Sequence, residues 1–484
     1  MTITTRTAIA FSVTGRYMTL GLQFASTMLL ARLLTPEDIG IYSAGFSVVA
    51  LAHLFRDFGL NQYIIQEKEL TTAKIRTTFT LSLLIAWTLG ILIFSLSGIA
   101  ADFFKEEGVS HLLRLLSINF FVIPFGSVTL ALLRKNLKFH ITESISFSAT
   151  MLGIIVAIWS AYEGAQYLCL AYGAMTETIC TVLFSYFFRD KSIKFGLGLS
   201  GLKNIFRFGS IIGVGNIMTQ LSTSATDALI ARFLGIAALG FFSRAYGTFA
   251  IFNNLFANSI YPTILPLLSR SNKDLKALSE GYLKIIAYSL VFAWPFFTFL
   301  YLYTFETIRV LYGTQWDTAV PLVKILCFAG VFLPITLFAD NLFIAFGKPD
   351  ITLKVQMISN ITKLLLVLMA SFHSLEAVCF ALIGYYFTRL LSVSFYAKKV
   401  LNIQLLSVLT LCKQALPCLF MTIVPTIIAT QLMGSHIESI YLRFFVLAVI
   451  AAIGWLVGLG ISNHPFYEEI KIIFRRFAPT KSPL

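Results

Sequence analysis

Long apolar runs follow one another along the chain, separated by short connections that are basic or contain glycine and proline. A bilayer-spanning helix needs about 20 mostly apolar residues. Fourteen stretches meet that length: 8–31, 40–63, 77–99, 112–133, 143–162, 167–188, 208–231, 239–260, 283–303, 321–346, 353–372, 376–397, 413–433 and 440–461. The longest connections, 189–207 and 261–282, are basic and too short for a soluble domain. The fold class expected is an all-α polytopic membrane protein with about 14 transmembrane helices.

The chain also repeats itself. At an offset of 200, Ala25/Ala225, Leu29/Leu229, Ala31/Ala231, Arg32/Arg232, Leu34/Leu234, Gly40/Gly240 and Ser43/Ser243 are identical. Chance explains shared Leu and Ala between apolar stretches, but not Arg and Gly recurring at one interhelical turn. Helices 3–6 recur at offsets near 205–210. Two parallel six-helix lobes follow, because six crossings return the chain to its starting side. Their pseudo-two-fold would run along the membrane normal and enclose a central cavity, as in transporters built from parallel repeats. The expected domains are 1–190 (N-lobe), 191–400 (C-lobe), and 401–484 (two further helices and a basic tail).

Composition agrees with the spans. Of the 484 residues, 57% are hydrophobic and 12% charged, and mean hydropathy is +0.82. Soluble chains carry about 25% charged residues, so a cytosolic enzyme, a secreted domain and a disordered chain are excluded. The formal charge of +14 reads as topology rather than nucleic-acid binding. With the N-terminus inside, 24 Lys and Arg fall on inside segments and 6 on outside ones. Positive residues concentrate on the cytoplasmic side, so both termini are expected there. The six cysteines lie in apolar stretches without a CxxC pair, which indicates neither a disulfide framework nor a zinc site. No cleavable signal peptide is expected.

No nucleophile elbow, P-loop, HExxH or dinucleotide fingerprint occurs, so no catalytic residue, metal ligand or enzyme activity is expected; GKPD at 347–350 reads as a turn. Ionisable residues inside the spans carry the information. A charge there costs at least about 2.5–3.5 kcal/mol and should face a cavity or a partner. The cations are Arg16, Arg56, Arg244, Lys363 and Arg389; the anions are Asp57, Glu177, Asp227 and Asp340. Arg16, Arg56 and Arg244, with Arg389, are candidate cavity cations, able to grip a pyrophosphate in bidentate fashion. The competing reading is that each pairs with a carboxylate and only holds helices together; Arg56 beside Asp57 invites it most. Asp227 and Lys363, with Asn360 and Gln356 on the same helix face as Lys363, suggest either an ion pair or a coupling-cation site. Glu177 is a candidate for proton coupling. Pro124 and Gly126 in helix 4, and Pro295 in helix 9, are candidate kinks.

Several of these stretches together resemble the Wzx-type polysaccharide flippases, the polysaccharide transporter branch of the multidrug/oligosaccharidyl-lipid/polysaccharide exporter superfamily. They are ARLLTPEDIGIYS (31–43), DFGLNQYIIQ (57–66), ALLRKNLKF (131–139), DALIARFLG (227–235), YPTILPLLSRSNKD (261–274), LYGTQWDTAVPLVKIL (311–326) and LFIAFGKPD (342–350). The resemblance implies a fourteen-helix fold with two six-helix lobes in the bacterial inner membrane. It implies transport of an undecaprenyl-pyrophosphate-linked oligosaccharide from the cytoplasmic to the periplasmic leaflet, for O-antigen, capsule or exopolysaccharide. The related lipid II flippases place cavity arginines on helices 1, 2 and 8, the helices of Arg16, Arg56 and Arg244. They bind sodium with an acidic helix 7 residue, which Asp227 resembles, while Lys363 stands on helix 11 where it could occupy the cation position itself. No cofactor is implied; Na+ and H+ are the coupling ions considered. Membrane lipid, a polysaccharide polymerase and glycosyltransferases are the implied partners, and nucleic acid is not. Two alternatives stay open: a cation-coupled drug antiporter of the same superfamily, and a non-transporting scaffold of envelope assembly.

Overall fold

The structure is a computed structural model. It describes residues 5–57, 59–189, 196–198, 202–257, 264, 268, 275–433, 438–462, 464, 466 and 467, without the side chains of 5–13, 202–216, 257 and 405. Much of the basic connections at 189–207 and 261–282, and the basic tail from 471, lie outside the described residues.

The described residues form helices and turns and hold no strand. In chain order the helices of the first part are α1 (Thr5–Leu33), α2 (Pro36–Asp57), α3 (Leu60–Gln66), α4 (Thr72–Phe104), α5 (Glu107–Val122), α6 (Pro124–Lys135), α7 (Phe139–Tyr162), α8 (Leu168–Phe187), α9 (Leu202–Leu234) and α10 (Ile236–Phe252). The second part continues with α11 (Leu275–Leu302), α12 (Thr304–Leu311), α13 (Ala319–Ala329), α14 (Leu333–Thr336), α15 (Ala339–Ala345), α16 (Pro349–Ser371), α17 (Leu375–Leu401), α18 (Leu405–Met433) and α19 (Ile440–Ile461). Among the described residues, nine helical segments are long and apolar enough to cross a membrane, or up to eleven when the two bent pairs α5–α6 and α13–α15 each count as one span. The other three expected spans overlap α1, α9 and α10, which that count does not include. An all-α polytopic architecture is thus observed.

Local chemistry explains where helices start and stop. Thr35 and Asp38 form a capping box: the Thr35 N–H and hydroxyl donate to the Asp38 carboxylate (2.9 and 2.7 Å), and the Asp38 N–H donates to Thr35 Oγ (3.1 Å). At the equivalent turn of the second copy, Gly235 has φ +98°, a conformation glycine adopts without a Cβ penalty. Thr71, Ser374 and Ser439 cap α4, α17 and α19 through their hydroxyls. Large apolar side chains such as Ile99, Trp159, Met369, Phe395 and Phe445 are exposed. In a bilayer that surface needs no burial, and only backbone polar groups must be satisfied internally.

By contacts the chain divides into two compact units, Met1–Ser243 and Arg244–Leu484. The first runs past the repeat boundary expected near 190, because α9 packs along α2; there Ser224 Oγ donates to the Ser47 carbonyl (2.7 Å). Within this unit α7 packs on α8, α1 on α7, and α4 on α5. A Cβ at Gly153 would press on the Gly173 carbonyl at 2.7 Å, and one at Gly173 on the Gly153 carbonyl at 2.9 Å. Close helix approach through small residues is how apolar helices associate in lipid. In the second unit α16 packs on α17, and α18 on α19, where Gly454 lies against the Met421 carbonyl. Its core gathers Tyr282, Leu290, Phe338, Leu342, Phe343 and Val355. Pro295, a candidate kink, sits inside the unbroken α11; the break of this half falls at the junction of α13 and α14 instead.

Candidate functional site

The intramembrane charges sort into paired and unpaired groups. Arg56, near the end of α2, is paired. Its Nε and Nη2 both donate to Asp57 Oδ1 (3.0 and 2.7 Å), and Nη1 lies 2.7 Å from His53 Nδ1. The His53 ring stacks on Phe120 at 4.7 Å. Neighbours on one helix end therefore satisfy this guanidinium, as the Arg–Asp juxtaposition in the sequence suggested.

Arg389 on α17 is also paired. Its Nη2 donates to Asp340 Oδ2 at 3.0 Å, and Gln356 Nε2 on α16 donates to the same oxygen at 3.2 Å. Three helices are tied at one carboxylate, and Asp340 Oδ1 stays buried without a hydrogen-bond partner. A buried pair of this kind is costly to break on one side only.

Arg16 on α1 is exposed, and an acid absent from its own helix faces it. Glu143 on α7 feels the charges of Arg134 and Arg16, and a Cβ at Gly15 would stand 3.0 Å from Glu143 Cβ. Glu143 escaped the sequence reading because it lies at the start of an apolar span, more than a hundred residues from Arg16.

Arg244 on α10 has a different environment. Its guanidinium carbon stands over the rings of Tyr312 and Trp316, 5.6 Å from each centroid. Trp316 is fully buried. The Thr248 hydroxyl, one turn further along α10, donates to Tyr312 Oη at 3.3 Å. The short loop 312–317 holds both rings, and Arg309 clamps that loop by donating to Asp317 through Nε and Nη2 (3.1 and 2.7 Å). The Arg309 guanidinium holds the Asp317 carboxyl below the usual carboxylate range. Among the described residues Arg244 forms no ion pair, and its Nε is buried without a hydrogen-bond partner. Two aromatic faces stabilise a cation without neutralising it, so the guanidinium keeps its full charge and its donors. The rings come from LYGTQW, a stretch the sequence singled out only for its resemblance.

The coupling candidates are distributed over both units. Asp227 is half-buried on α9 in the first unit. Asn360 and Lys363 are buried on α16 in the second, with Lys363 Nζ 5.7 Å above the Tyr385 ring. Gln356, expected beside them, is engaged by Asp340. Glu177 on α8 accepts from the Thr150 hydroxyl at 2.6 Å, across the Gly153–Gly173 crossing. No group of three or more metal-ligating side chains occurs among the described residues.

The family model described as "Polysaccharide biosynthesis protein" matches residues 29–321. The chain is 25% identical over 348 residues to the lipopolysaccharide biosynthesis protein WzxC of Escherichia coli (strain K12), covering 71% of this chain and 70% of that one. It is 22% identical over 338 residues to the succinoglycan biosynthesis transport protein ExoT of Rhizobium meliloti (strain 1021), covering 69% and 68%. Among solved structures, the lipid II flippase MurJ in its inward closed conformation aligns over 96% of this chain and 99% of that chain, with TM-score 0.75 at 14% identity. That likeness is one of fold.

Proposed function

The chain belongs to the polysaccharide biosynthesis protein family, and on that premise we propose that it carries an undecaprenyl-pyrophosphate-linked repeat unit from the cytoplasmic to the periplasmic leaflet of a bacterial inner membrane. It is a multi-pass membrane transporter of lipid-linked oligosaccharide, not an enzyme. Alternating access carries out the transfer, and both termini are cytoplasmic.

Arg244 is the observation that supports this reading best. An arginine with no ion pair among the described residues is costly to keep in a membrane span without a use, and its donors suit a phosphate oxygen better than a drug cation. We assign it the pyrophosphate end of the cargo. Arg16, balanced by Glu143, takes a supporting part. Arg56 and Arg389 are assigned to structure, because Asp57 and Asp340 already occupy them. The same pairing takes Asp57 and Asp340 away from any cationic cargo. Coupling to Na+ or H+ is proposed to involve Asp227, Asn360, Lys363 and Glu177.

A deletion strain complemented with wild-type protein, with Arg244→Ala or with Arg389→Lys tests the assignment. The expected result is restored surface polysaccharide with wild type and Arg389→Lys, and accumulated lipid-linked intermediates with Arg244→Ala at normal abundance. Normal export by Arg244→Ala would remove the pyrophosphate assignment.

A further inference from the structure

Helices α4 and α11 are repeat partners, as are the bent spans α5–α6 and α13–α15, and their contacts match residue for residue. Offsets of 207 on the first helix and 210 on the second relate the two halves. His111, Arg114 and Ile118 are exposed, and so are Pro321, Lys324 and Phe328, each 210 further on. Arg114 stands over the Phe94 ring (5.9 Å), and Lys324 over the Tyr301 ring (6.0 Å). Gly90 lies against Phe120. At the equivalent sites Phe297 lies against Gly330, so glycine and phenylalanine have changed sides while the contact is kept.

The third match is polar. Trp87 Nε1 donates to the Phe121 carbonyl at 3.3 Å, and Trp294 Nε1 donates to the Val331 carbonyl at 3.3 Å. Each carbonyl lies three residues before a proline, Pro124 or Pro334, and at a break bent by 53° or 50°. In an unbroken helix these carbonyls would take the N–H groups of Phe125 and Ile335. The break removes those donors, and a carbonyl left open in lipid is costly. Each indole replaces the lost donor.

We propose that the two breaks are a matched pair of hinges, one per half, each held bent by its tryptophan and able to straighten by handing the carbonyl back to the helix. The carbonyl has a donor in both states, so the exchange never leaves this acceptor open in lipid. An apolar cavity of about 340 Å³ lined by Trp294, Phe297, Gly330 and Val331 gives the second indole room to swing. As a step of alternating access the proposal rests on the transporter reading above; the bend itself does not.

Spin labels at positions 111 and 134, and in a second protein at 321 and 344, read the two bends in nanodiscs without cargo, with Cys180 and Cys412 replaced by Ser. A straight helix would hold either pair roughly 35 Å apart, and a bend of this size removes roughly 4 Å. Trp87→Phe should lengthen the first distance by roughly 2–4 Å and leave the second unchanged, with Trp294→Phe doing the converse. Each should slow polysaccharide export roughly fivefold. Unchanged distances would overturn the latch, and lengthened distances with wild-type export would overturn the hinge's part in transport. Should a phenylalanine variant fail to accumulate, Pro124→Ala and Pro334→Ala return an N–H to each break. They are expected to lengthen the same distances, and a bend that persists in them overturns the proposal.

Discussion

Ser43 and Ser243, 200 positions apart, share a hydrogen bond: Ser43 Oγ donates to Ser243 Oγ at 3.1 Å. The contacts around it are reciprocal. Gly40 leaves room for the Ile236 carbonyl, and Gly240 for the Pro36 carbonyl. Exchanging each position with its equivalent 200 residues away turns one contact into the other, and the serine pair maps onto itself. A local two-fold therefore passes between the two hydroxyls, and backbone of one copy touches backbone of the other where only glycine fits.

Gly40→Ala and Gly240→Ala should each destabilise by about 1–3 kcal/mol, the usual range for overpacking. A backbone carbonyl cannot rotate away as a side chain can. Thermal unfolding in detergent measures the effect, and equal losses at the two sites are the signature of the two-fold. Ser43→Ala and Ser243→Ala should each cost about 1 kcal/mol, and the double variant little more, because one bond is shared.

The Asp340–Arg389 pair makes a sharper prediction. Arg389→Ala strands a carboxylate among α15, α16 and α17 and should cost about 3–5 kcal/mol. Arg389→Met combined with Asp340→Asn should regain most of the lost abundance. Arg56→Ala should cost less, because Asp57 is half-exposed and water can take over its partner's role. Quantified membrane abundance ranks the three variants; a double variant worse than Arg389→Ala would argue against a structural pair.

Protonation adds a third test at His464. Burial pushes this imidazole below its ordinary pKa of 6.5, and its Nδ1 accepts the Phe466 N–H at 3.2 Å. The folded chain thus favours the neutral ring, and the unfolded chain binds the extra proton first. Stability from this group is complete above pH 6.5 and declines as pH falls below it, towards the lower folded pKa. The unfolding midpoint of wild type should drop between pH 7 and pH 5 more than that of His464→Gln. Equal pH slopes would show that another group carries the dependence.

Orientation is tested by reporter fusions. Those after residues 35 and 236 should report the periplasm, and those after 70 and 274 the cytoplasm. The excess of Lys and Arg on one side drives this expectation, and the opposite pattern would reverse it.

What the sequence makes legible follows from how local each feature is. Apolar runs reveal the helices, and identities at an offset of 200 reveal the repeat, down to the glycines and serines of the two-fold. Arg56 and Asp57 are adjacent, so their pairing is readable. Arg389 and Asp340 are 49 residues apart, and Tyr312 and Trp316 meet Arg244 from a loop two spans away; such contacts leave no periodic trace. The same limit hid Glu143 beside Arg16. Proline in a span marks a possible break without deciding it: Pro124 and Pro334 stand at bends, whereas Pro295 rides inside α11. At Pro295 the freed Val291 carbonyl takes the Trp455 indole N–H at 3.0 Å while the helix stays unbroken, a contact that only the fold supplies.

Translocation by purified protein in proteoliposomes decides whether Arg244 carries the cargo: a fluorescent undecaprenyl-pyrophosphate-linked oligosaccharide is loaded and read as it reaches a quencher on the far leaflet. Wild-type protein should move the cargo, and Arg244→Ala should fall to the rate of empty liposomes while remaining folded. Transport by Arg244→Ala at the wild-type rate, or no transport by folded wild-type protein under any Na+ or H+ gradient, would contradict that role.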